Sequence, residues 1–224
     1  MALKEIGYDE VRSRMQPGDI IAYGGYTWVS EIIKWSTRSA VSHLGVILQT
    51  RSLNEKSGTR FFNLVVESTK WNGFVGVGEG RLSDRLNAYH GEVWWLPLKP
   101  EVRQRFDEAA FFDFIYGAEY KPFDLPQAVQ AAIDFAGRHG SDVHDSFHNQ
   151  EDLSKYYCSE LVAAAMEAAG VVPQVNASEV TPIDLCQWNL FQDDYYQLKK
   201  AKDTDPGTEI PRYNTQDPAL WCGR

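Results

Sequence analysis

Two apolar runs, His43-Leu44-Gly45-Val46-Ile47-Leu48-Gln49 and Phe61-Phe62-Asn63-Leu64-Val65-Val66-Glu67, constrain the fold more than any other part of the chain. Both are rich in β-branched and aromatic residues, and the polar, glycine-containing stretch Arg51 to Thr59 lies between them, so they read as two strands of an antiparallel hairpin. In such a pair the numbers of facing residues sum to a constant. A loop centred near Glu55 sets that constant so that His43 falls opposite Glu67, with Cβ atoms about 4.5–5.5 Å apart on one face of the sheet. A slip of one residue would send the two to opposite faces.

The remaining chain supplies elements on both sides of this hairpin. Residues 3–15 read as a short amphipathic helix that ends before Pro17-Gly18, and Ile20-Ile21-Ala22-Tyr23 reads as a first strand closed by Gly24-Gly25. Thr27 to Trp35 places Val29, Ile32, Ile33 and Trp35 at helical spacing. After the hairpin, Gly73 to Val77 and Glu92 to Leu96 read as strands with a helical turn around Leu82–Leu86 between them. Glu101 to Phe114 and Leu125 to Phe135 are apolar-periodic and predict helices. Thr181-Pro182-Ile183-Asp184 is a helix start with a capping threonine, a proline at the first helical position and an acid three residues after the cap. Tyr195 to Lys199 reads as a last strand. From Lys202 the chain turns to Pro206-Gly207, Pro211 and Pro218, so one domain over residues 1–200 with an extended C-terminal tail over 201–224 is expected.

Composition narrows the function classes. At 224 residues the chain can bury a core without staples, and 43% hydrophobic with 13% aromatic residues argues against disorder. A formal net charge of −9 offers no basic field for phosphates, so nucleic acid is not an expected partner and no stable membrane association is expected. Three cysteines without a C-x-x-C pair fit neither a disulfide framework nor structural zinc, and no cofactor is implied. Met1 to Ile21 lacks the uninterrupted apolar run of a signal peptide or membrane helix, so a cytoplasmic location is expected, with delivery to a cell wall by another route left open. Oligomeric state is not legible.

One cysteine stands in a special place. In Tyr156-Tyr157-Cys158-Ser159-Glu160-Leu161-Val162 the thiol falls at the first turn of a helix, because the following alanines are strong helix formers and Gly170 supplies a stop. Unpaired N–H groups and the positive end of the helix dipole favour thiolate there. Alone, Cys158 reads as a small buried hydrophobe, His43 as a strand-end histidine and Glu67 as a solvated strand end. Together they form a nucleophile, a base that takes and returns its proton, and an acid that fixes the imidazole tautomer and stabilises its cation. On the residues alone the fold is α+β, an antiparallel sheet carrying His43 and Glu67 packed against the helix carrying Cys158.

Five pieces run in order over residues 17–190: Gly18-Asp19-Ile20-Ile21, Ser42-His43-Leu44-Gly45-Val46, Val65-Val66-Glu67-Ser68, Tyr157-Cys158-Ser159-Glu160-Leu161 and Thr181-Pro182-Ile183-Asp184-Leu185. With them the chain resembles the circularly permuted branch of the NlpC-type papain-like cysteine hydrolases, the YiiX-like group. The resemblance implies a circularly permuted papain-like fold with nucleophile Cys158, base His43 and orienting acid Glu67, and a thiol peptidase or amidase whose substrate could be a cell-wall peptide such as the stem of peptidoglycan. Members of the same fold resembling lecithin-retinol acyltransferase move or cleave lipid acyl chains, which gives an acyl-lipid hydrolase or acyltransferase as the second expectation. A non-catalytic binding module is the third.

Three other features compete for attention. His139, His144 and His148 with Asp142 and Asp145 could ligate a metal, but Gly140, Ser141 and Asn149 break a helix there and favour a polar loop. Gly73, Gly76, Gly78 and Gly80 lack the strand-then-helix context and lysine of a phosphate loop. Trp28, Trp35, Trp71, Trp94 and Trp95 could line a groove, but as a set read mainly as core and rim, with Trp94-Trp95 a candidate interfacial anchor.

Overall fold

The computed structural model describes residues 2–55, 58–71, 74–122, 156–202 and 205–211. The predicted helix Leu125–Phe135, the histidine cluster at 139–148, Gly73 and Cys222 lie outside these residues.

In chain order the elements are β1 (Ala2–Glu5), α1 (Tyr8–Val11), β2 (Ile20–Gly25), α2 (Trp28–Thr37), β3 (His43–Glu55), β4 (Gly58–Trp71), β5 (Phe74–Arg81), α3 (Leu82–Ala88), β6 (Gly91–Leu96), α4 (Pro100–Gln104), α5 (Glu108–Ala118), α6 (Cys158–Ala168), a 3₁₀ turn at Ala177–Glu179, α7 (Pro182–Gln187) and β7 (Asp194–Lys199). The strands form a seven-stranded sheet in the order β1-β7-β6-β2-β3-β4-β5. Every neighbouring pair is antiparallel except β1 with β7. The fold is α+β.

Strand alternation sends successive side chains to opposite faces, and here both faces are covered, which is why the strands read as continuous apolar runs. One face presents Ala22, Leu44, Val46, Val66 and Trp94 to the core that holds Leu161, Val162 and Met166 of α6 and Phe111 and Ile115 of α5. The other presents Ile21, Tyr23, Ile47, Val65 and Trp95 to Leu82 and Leu86 of α3 and to Val11 and Met15. Trp94 and Trp95 are therefore core residues, one for each face, and cannot serve as an interfacial anchor. α6, alanine-rich, is buried from Cys158 through Met166, with the polar Ser159 and Glu160 among the buried residues. Gly170, at φ +69°, takes the left-handed position that ends it.

Several boundaries differ from expectation. Residues 3–15 are not one helix: Ala2–Glu5 pairs with β7 as an edge strand, and only Tyr8–Val11 is helical. Backbone pairing at the sheet edge overrides the amphipathic pattern. The hairpin strands run on through the polar residues to Glu55 and Gly58. Glu101 to Phe114 is two helices, because Asp107 accepts from Ala110 N at 3.0 Å and caps a new one. Trp35, expected on the packed side of α2, is exposed.

The Gly18-Asp19 piece has a structural role. Asp19 is buried at the start of β2, and its carboxylate accepts from Leu98 N at 3.0 Å, Gln16 N at 2.9 Å, Trp95 Nε1 at 3.0 Å and the Arg103 guanidinium. These bonds join β2, the end of β6 and α4. Asp19→Asn turns an amide donor toward groups that are themselves donors and leaves Arg103 without a counter-ion, so a loss of about 2–4 kcal/mol is expected. Urea denaturation checks it; an unchanged midpoint would show that the network carries no stability.

Candidate active site

β3 begins at His43. The chain reaches it from α2 through Arg38, whose left-handed φ of 49° turns it back toward the sheet, and Ser42, whose N donates to Tyr23 O at 2.8 Å. That bond registers His43 against Tyr23 on β2, with the two rings 5.3 Å apart.

Glu67 reaches His43 by a route the sequence does not display. On the turn side of the hairpin Gln49 pairs with Leu64, but farther along Ile47 pairs with Val65 and Val46 with Val66, so β3 has used one extra residue at Leu48. Without this bulge Glu67 would face Val46 and lie on the opposite face from His43. With it Glu67 faces Gly45, and His43 sits two residues along on the same face. The two are diagonal rather than directly opposed, about 7–8 Å apart at Cα, within reach of a long side chain. The expected register was off by two, which keeps the face.

The diagonal reach depends on Gly45. A Cβ there would stand 2.8 Å from Glu67 Cγ, 2.8 Å from Val65 Cγ2 and 3.1 Å from Val66 O. Glycine leaves the corridor along which Glu67 leans to His43. Gly45→Ala is expected to lower turnover tenfold to a hundredfold, about what a 1 Å displacement of a working group costs, and stability by about 1–3 kcal/mol. Wild-type turnover in that variant would show that the corridor is not needed.

His43 Nε2 donates to Glu67 Oε2 at 2.6 Å. Glu67 also accepts from Tyr23 OH at 3.0 Å (Oε1), from Arg85 Nε at 2.9 and 3.1 Å (Oε1 and Oε2) and from Arg85 Nη2 at 3.0 Å (Oε2). Burial alone would raise the Glu67 carboxyl, but His43 and Arg85 together hold it down at about 2. Burial likewise opposes charge on His43, and the neighbouring Cys158 sulfur, followed by Glu67, outweighs it and raises the imidazole to about 9. Burial and the Glu67 charge push the Tyr23 hydroxyl well up, so it stays a donor.

Cys158 opens α6 and is 5% exposed. The two tyrosines before it fix its place. Ser68, next to Glu67 but on the other face of β4, donates to Tyr156 O at 2.5 Å; Tyr157 OH donates to Ser178 O; and Tyr157 N donates to Glu160 Oε2 at 3.2 Å. Adjacent residues of β4 thus hold the histidine and the segment leading into the cysteine helix. Thr181 and Asp184 cap α7 as their spacing predicts, with Thr181 N donating to Asp184 Oδ2 at 3.0 Å. Cys186, inside α7, is also a free thiol, and burial pushes its pKa far up.

The structure therefore brings Cys158, His43 and Glu67 into one centre. Sequence reading missed Arg85, Tyr23, Tyr89 and Gly45. Arg85 did leave a signal: with Leu82 and Leu86 it occupies the apolar face of a short helix, where an unpaired cation would be costly. Among the described residues no group of three or more histidine, cysteine, aspartate or glutamate side chains is placed to hold a metal ion.

No family model matches the chain, and no curated protein does. Among solved structures, the metalloprotein YiiX from Escherichia coli O157:H7, described as DUF1105, aligns at 17% identity with a TM-score of 0.45, over 72% of this chain and 69% of its own.

Proposed function

We propose that the protein is a thiol hydrolase that cleaves an amide or peptide bond through an acyl-enzyme on Cys158, on a circularly permuted papain-like fold. The observation that carries this reading is a buried histidine whose Nε2 donates to the Glu67 carboxylate at 2.6 Å and whose imidazole is raised by the helix-start Cys158 beside it. In this mechanism His43 takes the proton of Cys158 as the base of the pair. The thiolate attacks the carbonyl carbon, the oxygen takes the negative charge, and first-turn N–H groups of α6, that of Cys158 among them, stabilise it, at about 3–4 kcal/mol of barrier per donor. His43 gives its proton to the leaving amine as the C–N bond breaks, leaving a thioester. Water then attacks as His43 takes its proton, and collapse releases the acid and returns the thiolate. The resemblance of the five sequence pieces makes a cell-wall peptide the first substrate to try.

A second reading, cleavage or transfer of a lipid acyl chain, is favoured by one surface. Tyr26, Trp28 and Trp35 are 52, 67 and 75% exposed on and beside α2, the helix that joins Tyr23 to His43. Aromatic rings of this kind sit well at a lipid interface.

A side-by-side assay of wild type and Cys158→Ala on muropeptides and on zwitterionic phospholipid decides between them. Peptide products from the wild type alone support the peptidase. Fatty acid from the wild type alone, with no peptide cleavage, replaces it with the lipid reading. Neither product leaves only a binding module. On the true substrate kcat/KM is expected to fall on the alkaline side near pH 9, where His43 loses its proton. A profile still rising above pH 10 would contradict the imidazolium assignment.

A further inference from the structure

We propose that Arg85 is a positioning residue of this same centre: it fixes the Glu67 carboxylate in one geometry and in its charged form, and so sets the acid limit below which the Cys158–His43 pair stops working. The inference rests on the thiol-hydrolase reading and adds to it a fourth member, on a different element from the other three.

The geometry is that of a clamp. Arg85 projects from α3 and is 7% exposed. Its Nε lies between both carboxylate oxygens and its Nη2 bonds Oε2, the same oxygen that receives His43 Nε2. Tyr23 OH holds Oε1. The guanidinium carbon stands 5.3 Å from the centroid of the Tyr23 ring and 4.9 Å from that of Tyr89, so aromatic rings wall the fork. Glu67 thus cannot rotate about its last torsion without breaking contacts on both oxygens, and the oxygen facing His43 is defined. A planar fork does this; a lysine, as a point charge, would not define the rotation.

The clamp also decides the charge. Burial is the largest influence on Glu67 and favours the neutral acid. The charged or titratable groups facing Glu67 are His43 from β3, Tyr23 from β2 and Arg85 from α3, with Tyr89 against Arg85 and Cys158 beyond His43. β5 presents Gly78 at that register and contributes none. Of these, His43 is itself a working group that must release its proton in each cycle. Arg85 is the cation that stays. Once Glu67 is protonated it no longer stabilises the imidazolium.

The test needs no substrate. The rate of Cys158 alkylation by iodoacetamide is followed from pH 2 to 9, with the site read by peptide mass spectrometry, in wild type, Arg85→Met, Arg85→Lys, Glu67→Gln and the Arg85→Met/Glu67→Gln pair. Arg85→Met is expected to move the acid midpoint of the rate upward by about one pH unit or more, and Arg85→Lys to recover about half of that shift. In the Glu67→Gln background Arg85→Met is expected to move it no further. An unmoved midpoint in folded Arg85→Met, or an equal shift without Glu67, overturns the proposal. Should Arg85→Met not fold, Arg85→Lys carries the test, and an unmoved midpoint there overturns it. If wild-type Cys158 reacts no faster than Cys186 at any pH, the hydrolase reading falls and this inference with it. Selective Cys158 reactivity with no effect of Arg85 removes this inference alone.

Discussion

Cys158→Ala is expected to lose turnover by at least about 10⁴-fold while keeping its fold. The sulfur sits at the first helical position of α6, where alanine is the best helix former, and it removes no hydrogen bond that the helix needs. A stability change of about 1 kcal/mol or less is therefore expected, read by thermal melting with circular dichroism. His43→Ala is expected to lose as much turnover, and the double variant no more than either, because nucleophile and base act as one unit. Residual turnover above a hundredth of wild type in Cys158→Ala would place the chemistry elsewhere.

Glu67→Gln is expected to damage both activity and stability, which sets it apart from the cysteine variant. The glutamine keeps size and one acceptor, but its amide N–H₂ faces either His43 or the donors of Arg85 and Tyr23. Loss of the charge behind His43 is expected to cost at least about tenfold in turnover. Loss of the carboxylate charge weakens the buried pair with Arg85, and a loss of about 3–5 kcal/mol is expected. The pH dependence of stability follows from the same pair. Glu67 is held at about 2 instead of its ordinary 4.5, so its contribution is present above pH 4.5 and lost as pH falls toward 2. His43 is raised from 6.5 to about 9, so its contribution is present below pH 6.5 and lost as pH rises through 9. Wild-type stability is expected to be greatest between pH 4.5 and 6.5; in Glu67→Gln the acid limb is expected to flatten and the alkaline limb, raised first by Cys158, only in part. Urea midpoints across pH check this. A variant with reduced turnover and wild-type stability would contradict the buried ion pair.

The sequence made the hairpin, the cysteine helix and its glycine stop, and the capped α7 legible, because each is written in local terms: period-two runs, a run of alanines, a capping threonine with its acid. The bulge at Leu48 is not local in that sense. No glycine or proline marks it, and it exists because both strands must keep their apolar sides against two different cores. His43 and Glu67 share a face all the same, since a register difference of two preserves it. β1 was misread because its strand character comes from β7, nearly the whole chain away. The polar stretch Arg51 to Thr59 resembles a loop by composition yet continues both strands, as edge pairing tolerates polar residues. Arg85 is legible in one respect: a cation on the apolar face of a short helix calls for a buried anion, and Glu67 supplies it.

An acyl-enzyme route requires Cys158 to carry the acyl group. The most direct measurement is the intact and peptide mass of the protein quenched in acid during turnover of a muropeptide, with Cys158→Ala alongside. A mass increase equal to the acyl half of the substrate, located on Cys158 in the wild type and absent from the variant, is the result expected. Product formed with no adduct on Cys158, or formed equally by Cys158→Ala, would contradict it.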